Sequence, residues 1–495
     1  MKIIIPMSGI GKRFKEAGYV NPKPLIEVDN KPIIEHVINL FDKEKDDYIF
    51  ICNSEHLKET NMRNILNSII PTCKIYEVPV EGRQGPVHAV SLIFDHIDNN
   101  DEVIISYCDY GTWWNYKEFL EDNRKRNADG SIVCYKGFHP HMLGTDNYAF
   151  LKEIEKDSRW MEAIKEKEPF TNNRMEEYAS NGTYYFKNGY IMKKYFQKLI
   201  DLNKKINNEY YVSMVYNLLV NDNLKVNIFE IEHMLQWGTP YDLEIYKKWS
   251  NYFYNLKKKQ NTYIDKFDTT LVLPLAGNGS RFYKKGYKKP KPLINIDGLP
   301  MIISAVKCLP QSTNNIFICL KENLNKYLLE KNIKKYYPES KIYGINEVTQ
   351  GQACTTELGI IKSGLDLDKP ILISACDNGV YYNIDEYQSL VNDINNDIIV
   401  WSFRNEPTSK NNPNMYAWMS IDENNFVKNV SCKKFIENIH DINNSHVIVG
   451  TIFFRKAKWF IEGLKKNYDD NIRSNNEFYV DDVINQNIKA GLKVK

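Results

Sequence analysis

Residues 2–25 read KIIIPMSGIGKRFKEAGYVNPKPL, and residues 270–293 read TLVLPLAGNGSRFYKKGYKKPKPL. Each segment is an apolar run followed by two glycines one residue apart, an arginine, and a lysine between two prolines. An apolar run that leads into such a loop predicts a buried strand and a turn whose backbone N–H groups can approach a phosphate. The sequence therefore predicts that one strand-and-loop unit is used twice.

The repeat extends along most of the chain, because matching residues keep one separation. The pairs that lie 268 positions apart are Gly9 and Gly277, Arg13 and Arg281, Lys23 and Lys291, Asp109 and Asp377, Gly182 and Gly450, and Glu209 and Glu477. Units of this length indicate two tandem domains and not a solenoid of short repeats. We expect domain one at residues 1–250, a linker at 251–267 and domain two at 268–495. Because the counterpart of LQWGTPYDL (235–243) would lie beyond Lys495, we also expect a truncated chain or a second domain without its last strand.

Apolar strands alternate with amphipathic helices in each unit, as in YIFICN (48–53) and NYKEFLEDNRKR (115–126). This alternation predicts an α/β fold in which a mostly parallel sheet is covered by helices on both faces. The apolar segment EVIISYCD (102–109) ends at Asp109. Because ligands of such sheets bind beyond the carboxyl ends of the strands, we expect Asp109 and the glycine loop at one edge.

The composition argues against several classes of partner. The 65 Lys and Arg residues nearly balance 63 Asp and Glu residues, and no basic arm is present, so we expect no nucleic-acid partner. The sequence contains neither a signal peptide nor a run of 18 apolar residues, so we expect no membrane insertion. Nine cysteines stand singly, without metal-ligand spacing, which is typical of buried thiols in a reducing compartment. We expect a cytoplasmic protein.

The glycine loop alone fits neither of two familiar nucleotide motifs. Phe14 and Phe282 stand where a dinucleotide fingerprint needs its third glycine, and the Gly-Lys-Ser/Thr of a P-loop is missing. Loop arginines and lysines are often simply solvated. Because Arg13 and Lys23 recur with the glycines in the second unit, we interpret them as a phosphate site.

The combined pattern resembles the sugar-phosphate nucleotidylyltransferase family. It consists of an apolar strand, (A/S)-G-x-G-x-R-F, P-K-P-L and (G/N)-x-P-(I/M)-I in both units. The family includes glucose-1-phosphate thymidylyl- and uridylyltransferases and mannose-1-phosphate guanylyltransferases. The resemblance implies tandem Rossmann-like (GT-A-like) domains. It also implies an enzyme that joins a nucleoside triphosphate to a sugar 1-phosphate or related phosphorylated small molecule and releases pyrophosphate, for nucleotide-sugar or surface-polysaccharide biosynthesis. Assembly as a homo-oligomer stays open.

The resemblance assigns the loop and the second glycine segment to the nucleotide. The implied contacts are Ser8, Gly9, Gly11, Gln84 and Gly85 in unit one and Ala276, Gly277, Gly279, Gln350 and Gly351 in unit two. An arginine would hold the leaving pyrophosphate and a lysine the α-phosphate. These catalytic residues would be Arg13 and Lys23 in unit one and Arg281 and Lys291 in unit two.

The resemblance also implies a metal site and an acceptor site. Asp109 and Asp377 would bind Mg²⁺, for which carboxylates beside phosphates are suitable hard ligands. The family's second metal-binding Asp has no match, because Gln236 takes its place in LQWGTP.

For the acceptor, Lys167 and Glu209 match the family in unit one, and Glu477 matches Glu209 in unit two. In SCKKF (431–435), Lys433 and Lys434 both fit the acceptor lysine, and the acid before it is absent.

Other interpretations of the sequence remain open. A binding or regulatory protein could hold sugar nucleotides without turnover. A glycosyltransferase of similar fold would release a nucleoside diphosphate, although both units lack the D-x-D motif of many such enzymes. His139 and His141 have H-x-H spacing, and we favour a loop or substrate contact over a metal site because no third ligand is evident.

Overall fold

The computed structural model describes residues 1–259, 266–404, 406, 409, 412–435 and 445–495. The chain divides into two compact units, Met1–Asn251 and Tyr252–Lys495. The linker predicted at 251–267 includes residues 260–265, which lie outside the described residues, whereas residues 251–259 continue a helix.

The first unit is built from alternating strands and helices. Its strands are β1 (Lys2–Met7), β2 (Glu27–Val28), β3 (Lys31–Pro32), β4 (Asp47–Asn53), β5 (Lys74–Val78), β6 (Val103–Ser106), β7 (Tyr110–Trp113), β8 (Gly130–Tyr135), β9 (Ala149–Glu153), β10 (Met161–Glu166), β11 (Tyr178–Phe186), β12 (Val226–Glu230) and β13 (His233–Gln236). Its helices are α1 (Lys12–Glu16), α2 (Ile33–Ile38), α3 (Ser54–Glu59), α4 (Met62–Ile69), α5 (Pro86–Ser91), α6 (Tyr116–Lys125), α7 (Gly189–Asp201), α8 (Val212–Asn221) and α9 (Pro240–Lys259).

The main sheet of the first unit has the strand order β5-β4-β1-β6-β11-β9-β10, and β8 joins β11 to β12. Strands β5, β4, β1 and β6 are parallel, whereas β11 is antiparallel to β6, β8 and β9. The predicted α/β fold is confirmed, with antiparallel pairing in the second half of the sheet. The parallel half brings the ends of β1 and β6 to one edge.

Both faces of this sheet are buried, as the nearly continuous apolar strands predict. Along β1, Ile3 and Ile5 point into one hydrophobic cluster and Ile4 into another, and all are fully buried. Successive side chains of a strand point to opposite faces, so one short strand contributes to two cores. Such a strand holds the loop that follows it on a rigid base.

The second unit contains the same kinds of element. Its strands are β14 (Phe267–Leu275), β15 (Asn295–Ile296), β16 (Leu299–Pro300), β17 (Ser312–Leu320), β18 (Lys341–Ile345), β19 (Ile371–Ile373), β20 (Ile398–Phe403), β21 (Ala417–Ile421), β22 (Val427–Cys432) and β23 (His446–Phe454). Its helices are α10 (Ser280–Lys284), α11 (Met301–Lys307), α12 (Lys321–Tyr327), α13 (Leu329–Lys334), α14 (Gln352–Ser363), α15 (Ile384–Asn392), α16 (Ala457–Asp469) and α17 (Val480–Lys489).

The second sheet repeats the topology of the first. Its strand order is β18-β17-β14-β19-β23-β21-β22, with β20 paired to β23. In the place that β12 takes beside β8, Val494 forms a parallel bridge to Ile398 of β20. No helix in the described part of the chain combines the length and apolar character that crossing a bilayer requires.

Candidate active site

The glycine loops connect the first strand of each unit to a short helix. Gly11, which precedes α1, has φ of 64°, and Gly279, which precedes α10, has φ of 59°. Both values lie in the left-handed region that glycine tolerates and that side chains disfavour. The loops thus turn back over the carboxyl ends of β1 and β14 at small residues.

A lysine and an aspartate form an ion pair beside each loop. In the first unit Lys23 pairs with Asp109, and only about a fifth of each side chain is exposed. In the second unit Lys291 Nζ lies 2.5 Å from Asp377 Oδ2. Each lysine begins a 3₁₀ turn directly after a proline, and proline at this position fixes the entry into the turn. Lysine and aspartate come from distant parts of the chain, and the fold brings them together.

The first unit has a cavity of about 230 Å³ at this edge. Of the nucleotide, metal and acceptor residues predicted from the sequence, those that line it are Ser8, Gly9, Gly11, Lys23, Gly85, Asp109 and Glu209. Neither Arg13 nor Gln84 lines the cavity. Arg13 is exposed on α1, and the backbone carbonyl of Gln84 accepts a hydrogen bond of 2.7 Å from the N–H of Tyr210.

The second unit has a cavity of about 360 Å³ in the corresponding place. The site residues predicted from the sequence that line this cavity are Ala276, Gly277, Gly279, Arg281, Lys291, Gly351, Asp377, Lys433 and Glu477. Gln350 does not line the cavity, because its side-chain oxygen accepts a hydrogen bond of 2.7 Å from Arg473.

Lys167 reaches the first cavity through a tyrosine. Its Nζ donates to the Tyr211 hydroxyl at 2.7 Å, and that hydroxyl donates to Glu209 at 2.6 Å. Burial and the neighbouring Glu209 raise the pKa of Tyr211, so the hydroxyl stays protonated. Tyr211 and Glu209 line the cavity, so this chain of hydrogen bonds links the lysine to its wall.

Lys433, and not Lys434, takes the structural place of Lys167. Lys167 has φ of 61° and its N–H donates to Tyr148, whereas Lys433 has φ of 57° and its N–H donates to Tyr416. Lys433 also lies over the ring of Tyr479, as Lys167 lies over that of Tyr211. The shared backbone conformation therefore decides between the two lysines.

Residues 2–230 match the family model described as Nucleotidyl transferase. Bifunctional protein GlmU of Buchnera aphidicola subsp. Baizongia pistaciae is 25% identical over 229 residues, which are 46% of this chain and 46% of that protein. Bifunctional protein GlmU of Staphylococcus epidermidis is 23% identical over 233 residues, 46% of this chain and 47% of that protein. The chain thus spans about half the length of these curated relatives.

Among solved structures, the chain is similar to a nucleoside-diphosphate-sugar pyrophosphorylase from Vibrio cholerae RC9. It is 21% identical, with a TM-score of 0.42, and the match covers 50% of this chain and 99% of that one. The inositol-1-phosphate CTP transferase from T. maritima is 14% identical, with a TM-score of 0.39, over 53% of this chain and 97% of its own.

The first unit has two side-chain oxygen atoms that could bind a metal ion near its Lys–Asp pair. A Cβ atom at Gly238 would lie 2.9 Å from Asp109 Oδ2 and 3.3 Å from Gln236 Oε1, so the glycine leaves room between them. A carboxylate and an amide carbonyl are hard ligands that suit Mg²⁺. The described residues contain no cluster of three or more His, Cys, Asp or Glu side chains that could hold a metal ion. The donor set therefore fits a cation that also binds substrate phosphates.

Lys167 and Lys433 each have a carboxylate nearby, but the two carboxylates come from different elements. In the first unit, Glu166 of β10 accepts a hydrogen bond of 2.6 Å from Ser213 of α8, and burial raises the pKa of Glu166. In unit two, Cys432 stands in the place of Glu166, and Asp481 of α17 lies 3.9 Å from its sulfur. The acid that is absent from the strand is supplied by the helix.

His139 and His141 are buried in the first unit. The His141 Nε2 and the Tyr135 hydroxyl are 2.8 Å apart, and His139 accepts the N–H of Met234 at 3.2 Å. Burial lowers the pKa of His141 to about 3, so this imidazole is neutral. Both residues lie in the connection between β8 and β9, as the favoured loop interpretation has it, and both rings are buried and do not line the cavity.

Sequence reasoning missed several lining residues, among them one arginine and three tyrosines. Arg83 donates to the Ser8 carbonyl at 2.9 Å and so connects the second glycine segment, which contains Gln84 and Gly85, to the glycine loop. Tyr107, Tyr211 and Tyr479 form aromatic walls. Tyr211 and Tyr479 follow the predicted glutamates at the same spacing, which is a signal that the repeat itself carries.

Proposed function

We propose that this chain is a nucleotidylyltransferase that joins a nucleoside triphosphate to a sugar 1-phosphate, or to a related phosphorylated small molecule, and releases pyrophosphate. The second unit would be a second copy of the domain. The observation that carries the proposal is the ion pair of Lys23 with Asp109 beside a glycine loop, repeated by Lys291 with Asp377. The shared strand order of the two sheets supports the tandem arrangement. The product would serve nucleotide-sugar or surface-polysaccharide biosynthesis.

The reaction requires positioning and neutralisation of phosphate charge more than covalent catalysis. An oxygen of the acceptor phosphate attacks the α-phosphorus, the bond from the α-phosphorus to the bridging oxygen breaks, and pyrophosphate leaves with that oxygen. We assign Lys23 and Lys291 to the α-phosphate, since each lies at the cavity wall between loop and aspartate. Arg281 lines its cavity and would hold the leaving pyrophosphate, and Arg13 would do so from the exposed face of α1.

We further propose Mg²⁺ as the cofactor, held by Asp109 and Gln236 in the first unit and by Asp377 in the second. When bound with the triphosphate, the ion neutralises charge that develops on the phosphate oxygens. Lys23 and Lys291 would then turn from their aspartates toward the α-phosphate. The acceptor would bind beside Lys167 and Glu209 in one unit and Lys433 and Glu477 in the other.

Pyrophosphate release from a panel of nucleoside triphosphates and phosphorylated acceptors tests the proposal. The full chain should release pyrophosphate with at least one pair, and the double variant Asp109→Asn with Asp377→Asn should not. Asp95→Asn with Asp385→Asn is the matched control, because both side chains are exposed and neither lines a cavity. Release of nucleoside diphosphate instead would indicate a glycosyltransferase, and binding without any release would indicate a regulatory protein.

A further inference from the structure

The two candidate sites differ in the residue that lies two positions before each metal-binding aspartate. This residue is Tyr107 in the first unit and Ala375 in the second, and each lines its cavity. The two positions correspond in the repeat, since Asp109 corresponds to Asp377. The same wall of the cavity therefore carries an aromatic ring in one unit and a methyl group in the other.

The ring of Tyr107 is held in place by the strand beside it. The N–H of Tyr107 donates to the Gly182 carbonyl at 3.0 Å, and the ring packs edge-on against Tyr184 with centroids 5.6 Å apart. A Cβ atom at Gly182 would lie 3.1 Å from the Tyr107 ring, so the ring lies directly against that backbone. These contacts leave the ring little freedom to move out of the cavity wall.

In the second unit smaller side chains take the corresponding space. A Cβ atom at Gly450 would lie 3.3 Å from the Asn378 amide nitrogen and 3.9 Å from the Ala375 Cβ. The cavity of the second unit measures about 360 Å³, against about 230 Å³ in the first. The larger cavity is thus the one that lacks the aromatic ring at this position.

Tyr107 lies at the acceptor end of its cavity. Tyr211 and Glu209 line the same cavity as Tyr107, and the hydrogen bonds of the Tyr211 hydroxyl connect this wall to Lys167. Burial, with the neighbouring Tyr184 and Glu166, raises the pKa of Tyr107, and Glu166 is the residue directly before Lys167. The ring therefore takes space from the acceptor and not from the nucleotide.

We propose that Tyr107 and Ala375 set the size of the acceptor, so that the two units use different substrates. The first unit takes the more compact phosphorylated acceptor, and the second takes the larger one. This inference rests on the proposed function. Tyr107 acts here as a specificity-determining residue that fills space, and its hydroxyl has no part in the reaction.

Reciprocal exchange of the two side chains tests the inference in the full chain. Asp377→Asn isolates the first unit and Asp109→Asn the second. Rates of pyrophosphate release are compared for glycerol 3-phosphate, as the compact probe, and glucose 1-phosphate, as the hexose probe, with each nucleoside triphosphate in turn. Tyr107→Ala should shift the ratio of kcat/KM values by about tenfold or more toward the hexose probe, and Ala375→Tyr should shift it as far toward the compact probe.

Two further variants keep the test decisive. Tyr107→Phe retains the ring and should retain the parent ratio, which separates filled space from any effect of the hydroxyl. If Tyr107→Ala does not fold, as judged by circular dichroism, the Ala375→Tyr ratio alone decides. A ratio that moves less than about threefold while pyrophosphate is still released overturns the inference and leaves the function intact. No release with any pair overturns both.

Discussion

The proline before Lys23 and the ion pair with Asp109 restrict the Lys23 side chain. Its ammonium group is therefore held in one position beside the glycine loop. In an Asp377→Asn background, Lys23→Met should lower pyrophosphate release by about 100-fold or more, because removing one preorganised donor from a phosphate site typically costs that much. Initial rates at saturating substrate provide the measurement.

The matched control for this change is Lys12→Met. Lys12 lies on exposed α1, where three quarters of its side chain is accessible and its ion pair with Glu16 spans 3.7 Å. Exposed pairs of this kind contribute little, so the rate should change less than about threefold. A Lys23→Met rate similar to that of the control would contradict the assignment of Lys23 to the α-phosphate.

Asp481 gives the second unit a pH dependence. Burial and the neighbouring Asp482 raise the pKa of Asp481 from 3.8 to about 6. The folded state then binds this proton more tightly than the unfolded state, so stability falls as pH rises from about 4 to about 6 and stays lowered above that. Asp481→Asn should flatten this decline and stabilise the second unit above pH 6 by at most about 3 kcal/mol.

Urea-dependent hydrogen exchange of the peptide that covers α17 measures this effect in the full chain, because it reports stability locally. The control is Asp469→Asn, whose side chain is exposed at the end of α16. Equal slopes against pH for Asp481→Asn and the parent chain would show that Asp481 is ionised in the folded state at pH 5.

At the scale of single residues, the sequence located the groups that recur at a fixed separation and could not locate groups that changed position. Lys23, Asp109 and Glu209 repeat in register, and they line the cavity. The carboxylate of Asp481 replaces that of Glu166 from another element, and only three-dimensional packing shows that the two are equivalent.

The elements show why local patterns predict strands well and their ends poorly. Apolar runs gave β1 and β4 directly, but the segment expected to reach Asp109 ends as β6 at Ser106. Beyond Ser106 the neighbouring strand β11 shifts its register against β8 between Ser180 and Tyr184, where Gly182 has φ of 97°. That irregularity belongs to a strand about 75 residues away in the chain, so no local window contains it.

Where α16 packs on α17, a buried amide side chain makes no hydrogen bond to the described residues. The first unit has an apolar side chain at the corresponding position. Asn467 is fully buried, and neither its amide nitrogen nor its oxygen has a hydrogen-bond partner among the described residues. The repeat places Leu199 at the same position of α7, where it is a core residue. Asn467→Leu should stabilise the second unit by about 1–3 kcal/mol, because an unsatisfied buried amide is replaced by an apolar side chain that suits the site.

Hydrogen exchange of the α16 peptide checks this prediction. Asn392→Leu, at an exposed position of α15, should change stability by less than about 0.5 kcal/mol, as surface substitutions usually do. Destabilisation by Asn467→Leu would instead indicate that the amide has a partner, such as an ordered water, that the leucine displaces.

For the whole molecule, the structure provides two separate sets of loop, lysine and aspartate, each on its own sheet. If both units used the same substrates, Asp109→Asn and Asp377→Asn would each remove part of one activity, and the acceptor profile would keep its shape. If the units differ as their cavities do, each variant should abolish release for one group of acceptors by about 100-fold or more and leave the other group unchanged. We expect the second result, because the two sites share the groups that handle phosphate and differ at Tyr107 and Ala375, where the acceptor lies. Pyrophosphate release by the full chain, measured for each acceptor alone and for pairs together, checks it: rates for acceptors of different units should add, whereas rates for acceptors of one unit should compete.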